Sequence, residues 1–164
     1  MSDALRDLIE LSAFRPDDCD TLIAWFRTED ELREFAGPGP RWPLDHAQLE
    51  QRMHEPGVHA WTARQPGEPE PIGHIERIRT QEIDRIDRVA IAPSHRRRGL
   101  AAPLVRAALD QLPIVRPVDL LVFVDNTPAI RTYEAVGFVD AGAIAPEYPE
   151  VRRMVLDPAS EVNE

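Results

Sequence analysis

"VAIAPSHRRRGLAAPL", residues 89–104, runs from an apolar segment through a proline and three consecutive arginines into a glycine and the start of an amphipathic helix. Leu104, Ala108 and Leu112 recur at spacing four, which stacks them on one helical face, and Leu112-Pro113 closes the segment. Cations at such a helix start are unfavourable by themselves. The N-terminus of a helix already carries roughly half a positive charge, so each cation there typically costs about 0.3–1 kcal/mol. An anion reverses the sign, because free backbone N–H groups, the helix dipole and the guanidinium charges then converge on it. Arg96, Arg97 and Arg98 therefore read either as an anion site or as a solvated basic turn, and the flanking sequence must decide.

The chain has 164 residues, 43% of them hydrophobic, which suits one domain with a full core. Residues 1–164 are expected to form that domain, with 157–164 as a frayed tail. A formal net charge of −10 argues against a general nucleic-acid binder and leaves room only for a local basic patch. Cys19 is the only cysteine, so no internal disulfide and no cysteine-based zinc site can form. The first residues lack a basic start followed by a long apolar run, and no stretch approaches 18 apolar residues. A cytoplasmic protein without membrane partners is the expectation.

Along the chain, "LIELSAF" (8–14) reads as a first strand, followed by a helix capped by Asp17 or Asp18. "FAGPGPRWPLD" (35–45) is a Gly/Pro loop, and Asp45 opens a short helix after it. Residues 58–64 and 71–79 read as strands of a hairpin, and 85–92 as a third strand. The run 118–124 has the character of a strand covered on both faces. A helix follows it, with Thr127 as cap, Pro128 in its first turn and Gly137 at its end. Residues 138–144 and 151–156 close the sheet.

Two stretches in this order resemble signatures of the GNAT superfamily of N-acetyltransferases. "RRRGLA" (Arg96–Ala101) is similar to R/Q-x-x-G-x-G/A, and "DNTPAIRTYEAVGF" (125–138) to N-x-x-A-x-x-x-Y-x-x-x-G-F, with Asn126, Ala129, Tyr133, Gly137 and Phe138 in place. The likeness spans residues 72–138 and is looser over the first 60. Ala101, where glycine is frequent, and Pro103 in the first helical turns depart from the commoner pattern. No P-loop or Rossmann fingerprint competes.

The resemblance implies an α/β fold with a mixed, mostly antiparallel sheet flanked by helices, and it implies acetyl-CoA as acetyl donor, with no metal. It assigns the anion as the coenzyme A pyrophosphate, met by Arg96, Arg97, Arg98, Gly99 and Leu100, with Ala101 and Ala102 keeping side chains out of the way. Val89, Ala90 and Ile91 then pair their backbone with the pantetheine arm, Asn126 touches that arm, and Tyr133 faces the sulfur. By themselves Asn126 also reads as a cap and Tyr133 as a packed aromatic.

Acetyl transfer to an amine needs a base for the ammonium and an acid for the departing thiolate. Tyr133 suits the acid. Strand parity puts Glu76 on the face of Ile72, His74 and Ile78, where burial would raise its pKa, and Asp87 on the face of Val89 and Ile91; either carboxylate suits the base. His74 is a substitute. Trp25, Phe35, Trp42 and Trp61 fall in the region expected to border the acceptor, Trp42 being the one expected outside the core. The acceptor is a primary amine on a small molecule, peptide or protein, and the chain a monomer or homodimer. The alternatives are a noncatalytic acyl-CoA-binding module and an acyltransferase for longer chains.

Overall fold

A computed structural model describes residues 7–158; residues 159–164, most of the expected tail, lie outside it. The strands are β1 (Glu10–Ala13), β2 (Val58–Arg64), β3 (Pro71–Arg79), β4 (Asp84–Ile91), β5 (Val118–Phe123), β6 (Val139–Ala143) and β7 (Val151–Leu156). The helices are α1 (Cys19–Ala24), α2 (Glu29–Ala36), α3 (His46–Met53), α4 (Ala101–Gln111) and α5 (Thr127–Val136). The seven strands form one sheet in the order β1-β2-β3-β4-β5-β7-β6. Every neighbouring pair is antiparallel except β4 and β5, which α4 connects.

Apolar side chains fill both faces of the sheet. Leu104, Val105, Ala108 and Leu109 of α4 pack on Ile75, Ile86, Leu120, Val122 and Met154 on one face. Leu22, Trp25, Leu32 and Leu49 of the α1–α3 region meet Phe14, Ala90 and Ala92 on the other. Of these helices, α2 packs on β4 and α3 on β2. Leu121 is 38% exposed, and β5 is not covered on both faces as its apolar run suggests.

Local chemistry sets the helix ends. Asp45 caps α3, its Oδ1 accepting from the Gln48 N–H at 2.9 Å. Thr28 caps α2 by accepting from the Glu31 N–H, in a Thr-x-x-Glu pattern that the sequence reading passed over. As a result Phe35 and Ala36 end a helix instead of opening the loop. Asp18 precedes α1 without capping it. Its carboxylate accepts from the Arg15 N–H, the Thr62 hydroxyl and the Arg64 guanidinium, which tie this corner to β2. The cap of α5 is Asn126 in place of Thr127: its side chain accepts from the Ala129 N–H at 3.3 Å, and Gly137 ends the helix at φ +117°.

Below the sheet, fully buried Arg77 donates to Asp84 at 2.8 and 3.0 Å and to the carbonyls of Leu109 and Leu112. Arg79 donates to the same carboxylate. These bonds satisfy carbonyls at the C-terminal end of α4 and fix that end against β3.

Candidate functional site

One extra residue in β4 organises the site. Glu76 opposes Asp87, yet His74 opposes Ala90, so two β4 residues, Arg88 and Val89, face the single position Ile75. Arg88 adopts φ +47°, a left-handed conformation that few bulky residues take, and marks a β-bulge. The bulge inverts the alternation beyond it. Asp87 therefore shares its face with Ala90, not with Val89 and Ile91 as simple parity predicts. Ile72 likewise leaves the face of His74 and Glu76: it packs with Ile75 beyond the register shift at Ala63/Arg64.

Arg52, which the sequence reading did not single out, gathers both candidate bases. It donates to Glu76 at 2.8 Å, to Asp87 at 2.8 Å and to Glu55 at 2.8 Å. Its partners lie 24 and 35 residues away along the chain, so no local spacing announces it. The Glu76 side chain is 2% exposed and also meets His74 at 3.2 Å. Burial pushes the Glu76 pKa up, but the hydrogen bond and charge of His74, with Arg88 and Arg52, outweigh it and leave the pKa below the usual carboxylate range. That reverses the raised value expected for Glu76. Asp87 behaves oppositely: its side chain is 38% exposed, and burial and the Glu76 charge lift its pKa against Arg52, Arg88 and the Arg88 N–H.

Tyr133 of α5 packs against the core cluster that includes Leu104 and Val105 of α4. Its ring sits edge-on to Phe138 at 6.1 Å, and its hydroxyl has no hydrogen-bond partner among the described residues. Burial, then the Asp87 charge, raise the phenol well above its usual range, so it holds its proton. The Asp87 carboxylate is thus coupled to Glu76 on one side and acts on Tyr133 on the other.

A gap adjoins this cluster. The parallel pairing of β4 with β5 is limited to Arg85 and Asp119, where the Asp119 carboxylate accepts from Arg85 and Arg153. Beyond that clamp the strands part, and Val89, Ala90 and Ile91 have no β5 partner. Such a strand edge suits an extended chain carrying amides.

At the end of β4, the Arg96–Gly99 turn precedes α4. Arg97 (φ +63°) and Gly99 (φ +71°) are left-handed, and a Cβ built on Gly99 would meet nothing within 4 Å. Arg96 Nε donates to the Ile91 carbonyl, but none of the three arginines forms an ion pair among the described residues. Leu100 starts α4 with no side-chain cap, and no acid lies in the first turn, so the N–H groups of Leu100, Ala101 and Ala102 point outward with the dipole. An open cradle, unpaired cations and an uncapped eleven-residue helix fit a pyrophosphate. Pro103 is tolerated because it falls within the first turn.

The sequence profile of the Acetyltransferase (GNAT) family matches residues 20–138. The chain belongs to that GNAT family. Among curated proteins, this GNAT chain is 33% identical over 96 residues to spermidine N(1)-acetyltransferase of Vibrio cholerae, covering 52% of this chain and 56% of that protein. It is 33% identical over 104 residues to an L-amino acid N-acetyltransferase of Escherichia coli, covering 58% and 62%. It is 39% identical over 70 residues to mycothiol acetyltransferase of Corynebacterium glutamicum, covering 42% and 24%. The chain thus spans less than two thirds of the length of each of these relatives. Among solved structures, the GNAT fold here matches spermidine N-acetyltransferase from Vibrio cholerae in complex with CoA and spermine. The TM-score is 0.76 at 22% identity, over 95% of this chain and 99% of that one.

Around this GNAT centre, Trp25 is buried, Phe35 and Trp61 are half-buried and Trp42 is 39% exposed. A shallow cleft lined by Leu32, Arg33, Pro38 and Pro40 lies beside α2, where Arg33 stands 5.8 Å over the Phe123 ring at the open end of β5. No described helix is long and apolar enough to cross a membrane.

Proposed function

We propose that the chain transfers the acetyl group of acetyl-CoA to a primary amine of a small molecule by direct attack. The observation that carries this reading is the cationic turn at the end of β4 beside the parted β4 and β5 edges, with an accessible Asp87 whose charge acts on a protonated Tyr133. Bound acetyl-CoA supplies a thioester whose C–S bond breaks as the C–N bond to the acceptor forms. Arg96 to Arg98 and the N–H groups of Gly99 to Ala102 hold its phosphates, and the backbone of Val89 to Ile91 lies along its arm.

Asp87 takes the proton that the attacking ammonium must lose, directly or through water. Its accessibility and raised pKa suit it better than Glu76, which Arg52 and His74 hold as a buried, ionised partner. Tyr133 gives its proton to the departing sulfur and is reprotonated, directly or through water, by the second proton that the nitrogen sheds once the C–N bond has formed. Asn126 fixes the start of α5 and so aims Tyr133; its side-chain N–H groups remain available to the cofactor arm. The reaction takes place in the cytoplasm, where Cys19 stays a thiol.

A thiol-release screen of acetyl-CoA against a panel of small amines tests the reading. Free thiol with matching N-acetyl product by mass spectrometry is expected. Calorimetric binding of acetyl-CoA with no turnover above hydrolysis on any amine would instead favour a noncatalytic acyl-CoA-binding module.

A further inference from the structure

Arg88 is the cation of this site that the protein leaves without a partner. Arg52 is spent on three carboxylates, and Arg33 lies over the Phe123 ring. The Arg88 guanidinium makes no hydrogen bond or ion pair among the described residues, although Glu76, Asp87, Glu55 and Arg52 all act on its charge. Its nitrogens are not sealed off either, since Arg106 Nη1 is the one side-chain atom found both buried and unpartnered among the described residues. Arg88 is thus half-buried and reachable, and its five N–H donors make no hydrogen bond among the described residues.

Its backbone adds a second observation. At φ +47° glycine or asparagine would be the easy occupants, and an arginine there is unfavourable. Arg88 also immediately follows Asp87, so the bulge presents a carboxylate and a guanidinium on consecutive residues at the parted edge of β4. The phosphate-type anion of the cofactor belongs to the turn at 96–99, eight or more residues along the chain. With that turn given to the cofactor's phosphates under the proposed function, Arg88 is left for an anion on the other substrate.

We infer that Arg88 binds a carboxylate on the acceptor, and that the acceptor is accordingly an amino acid-type molecule, amine and carboxylate together, in preference to a polyamine. This rests on the amine-transfer reading and deepens it. The ammonium of such a zwitterion meets Asp87 while its carboxylate takes the bidentate fork of Arg88, which fixes the nitrogen for attack.

The test uses matched pairs of acceptors that differ only in the carboxylate, such as phenylalanine with phenethylamine and methionine with 3-(methylthio)propylamine, together with spermidine. The wild-type protein is expected to favour the carboxylate member of each pair by at least about 10² in kcat/KM. In Arg88→Asn, which suits the left-handed backbone, that ratio should fall towards one through a rise in acceptor KM, and Arg88→Lys should restore part of it. Wild-type preference for spermidine or for the decarboxylated amines overturns the inference, as does an Asn variant that keeps the carboxylate preference; both leave amine transfer standing. Binding of acetyl-CoA without turnover of any amine overturns both readings. Should the Asn variant melt early, the wild-type ratios and the Lys variant decide.

Discussion

Replacing Tyr133 by phenylalanine removes one oxygen and leaves the ring where it packs against Phe138. Because that hydroxyl has no hydrogen-bond partner among the described residues, its loss breaks no bond within the fold, and a stability change within about 0.5 kcal/mol is expected. At roughly 2–4 °C per kcal/mol for a chain of this size, Tm should move by no more than about 2 °C. Catalysis should respond very differently. Burial and the Asp87 charge keep the phenol protonated to well above its ordinary value, so the wild-type acid is in its donating form throughout the working range. General acid catalysis is commonly worth about 10²–10⁴ in rate, roughly 3–5 kcal/mol of barrier. Single-turnover thiol release should show that loss in kcat, with acetyl-CoA affinity by calorimetry unchanged, because the interaction matters as charge develops on the sulfur. For the same reason the wild-type kcat should show no decline from Tyr133 deprotonation below about pH 10. A phenylalanine variant with full kcat, where chemistry is shown to limit the rate, would mean that Tyr133 only packs.

Asp87→Asn should slow the reaction most near neutral pH and least at high pH, where the acceptor amine is already neutral; a wild-type pH–rate profile in that variant would remove Asp87 as base. Gly99→Glu places a side chain at φ +71° and an extra negative charge at the head of α4, and should weaken coenzyme A binding at least about 10²-fold by calorimetry; unchanged affinity in a folded variant would displace the phosphate site. Asp84→Asn leaves Arg77 with its charge buried and uncompensated, and should cost about 3–5 kcal/mol, or roughly 6–20 °C in Tm. Arg77 and Arg79 hold the Asp84 pKa below its ordinary value in spite of burial, so the stability it contributes is present above about pH 4 and lost as pH falls through the lower folded value. The melting temperature of the Asn variant should therefore fall less steeply with acid, and equal acid slopes would count against the pair.

The β2–β3 hairpin was legible because two alternating runs flank a turn-rich linker, and α5 because Pro128 and Gly137 bracket it. Helix α2 was not, since few of its residues are apolar and its end runs into the Gly/Pro loop, which masked the Thr28–Glu31 cap. The proposed phosphate turn at 96–102 could be put forward from chain order because consecutive N–H groups at a helix start are a local property. The face of Asp87 was misread for a physical reason: "RIDRVAIA" contains no glycine or asparagine to signal a bulge, and the left-handed residue is an arginine. The Arg52 contacts depend on how α3 lies across β3 and β4, which only tertiary packing sets.

The bulge in β4 also governs which changes of length this strand can absorb. Ahead of it, Ile86 is keyed to the α4 side of the sheet, and behind it Ala90 and Ala92 are keyed to the α1–α3 side. Deleting Arg88 or Val89 would remove the extra residue and leave Glu76–Asp87 and His74–Ala90 paired on their present faces, whereas inserting a residue into either half would turn that half's side chains through the sheet or slide it out of register with β3. The bulge is thus the place where β4 absorbs the loss of one residue with both registers kept. Chimaeras with related chains need their junctions outside residues 74–90, so that both halves of the strand and their β3 partners come from one parent.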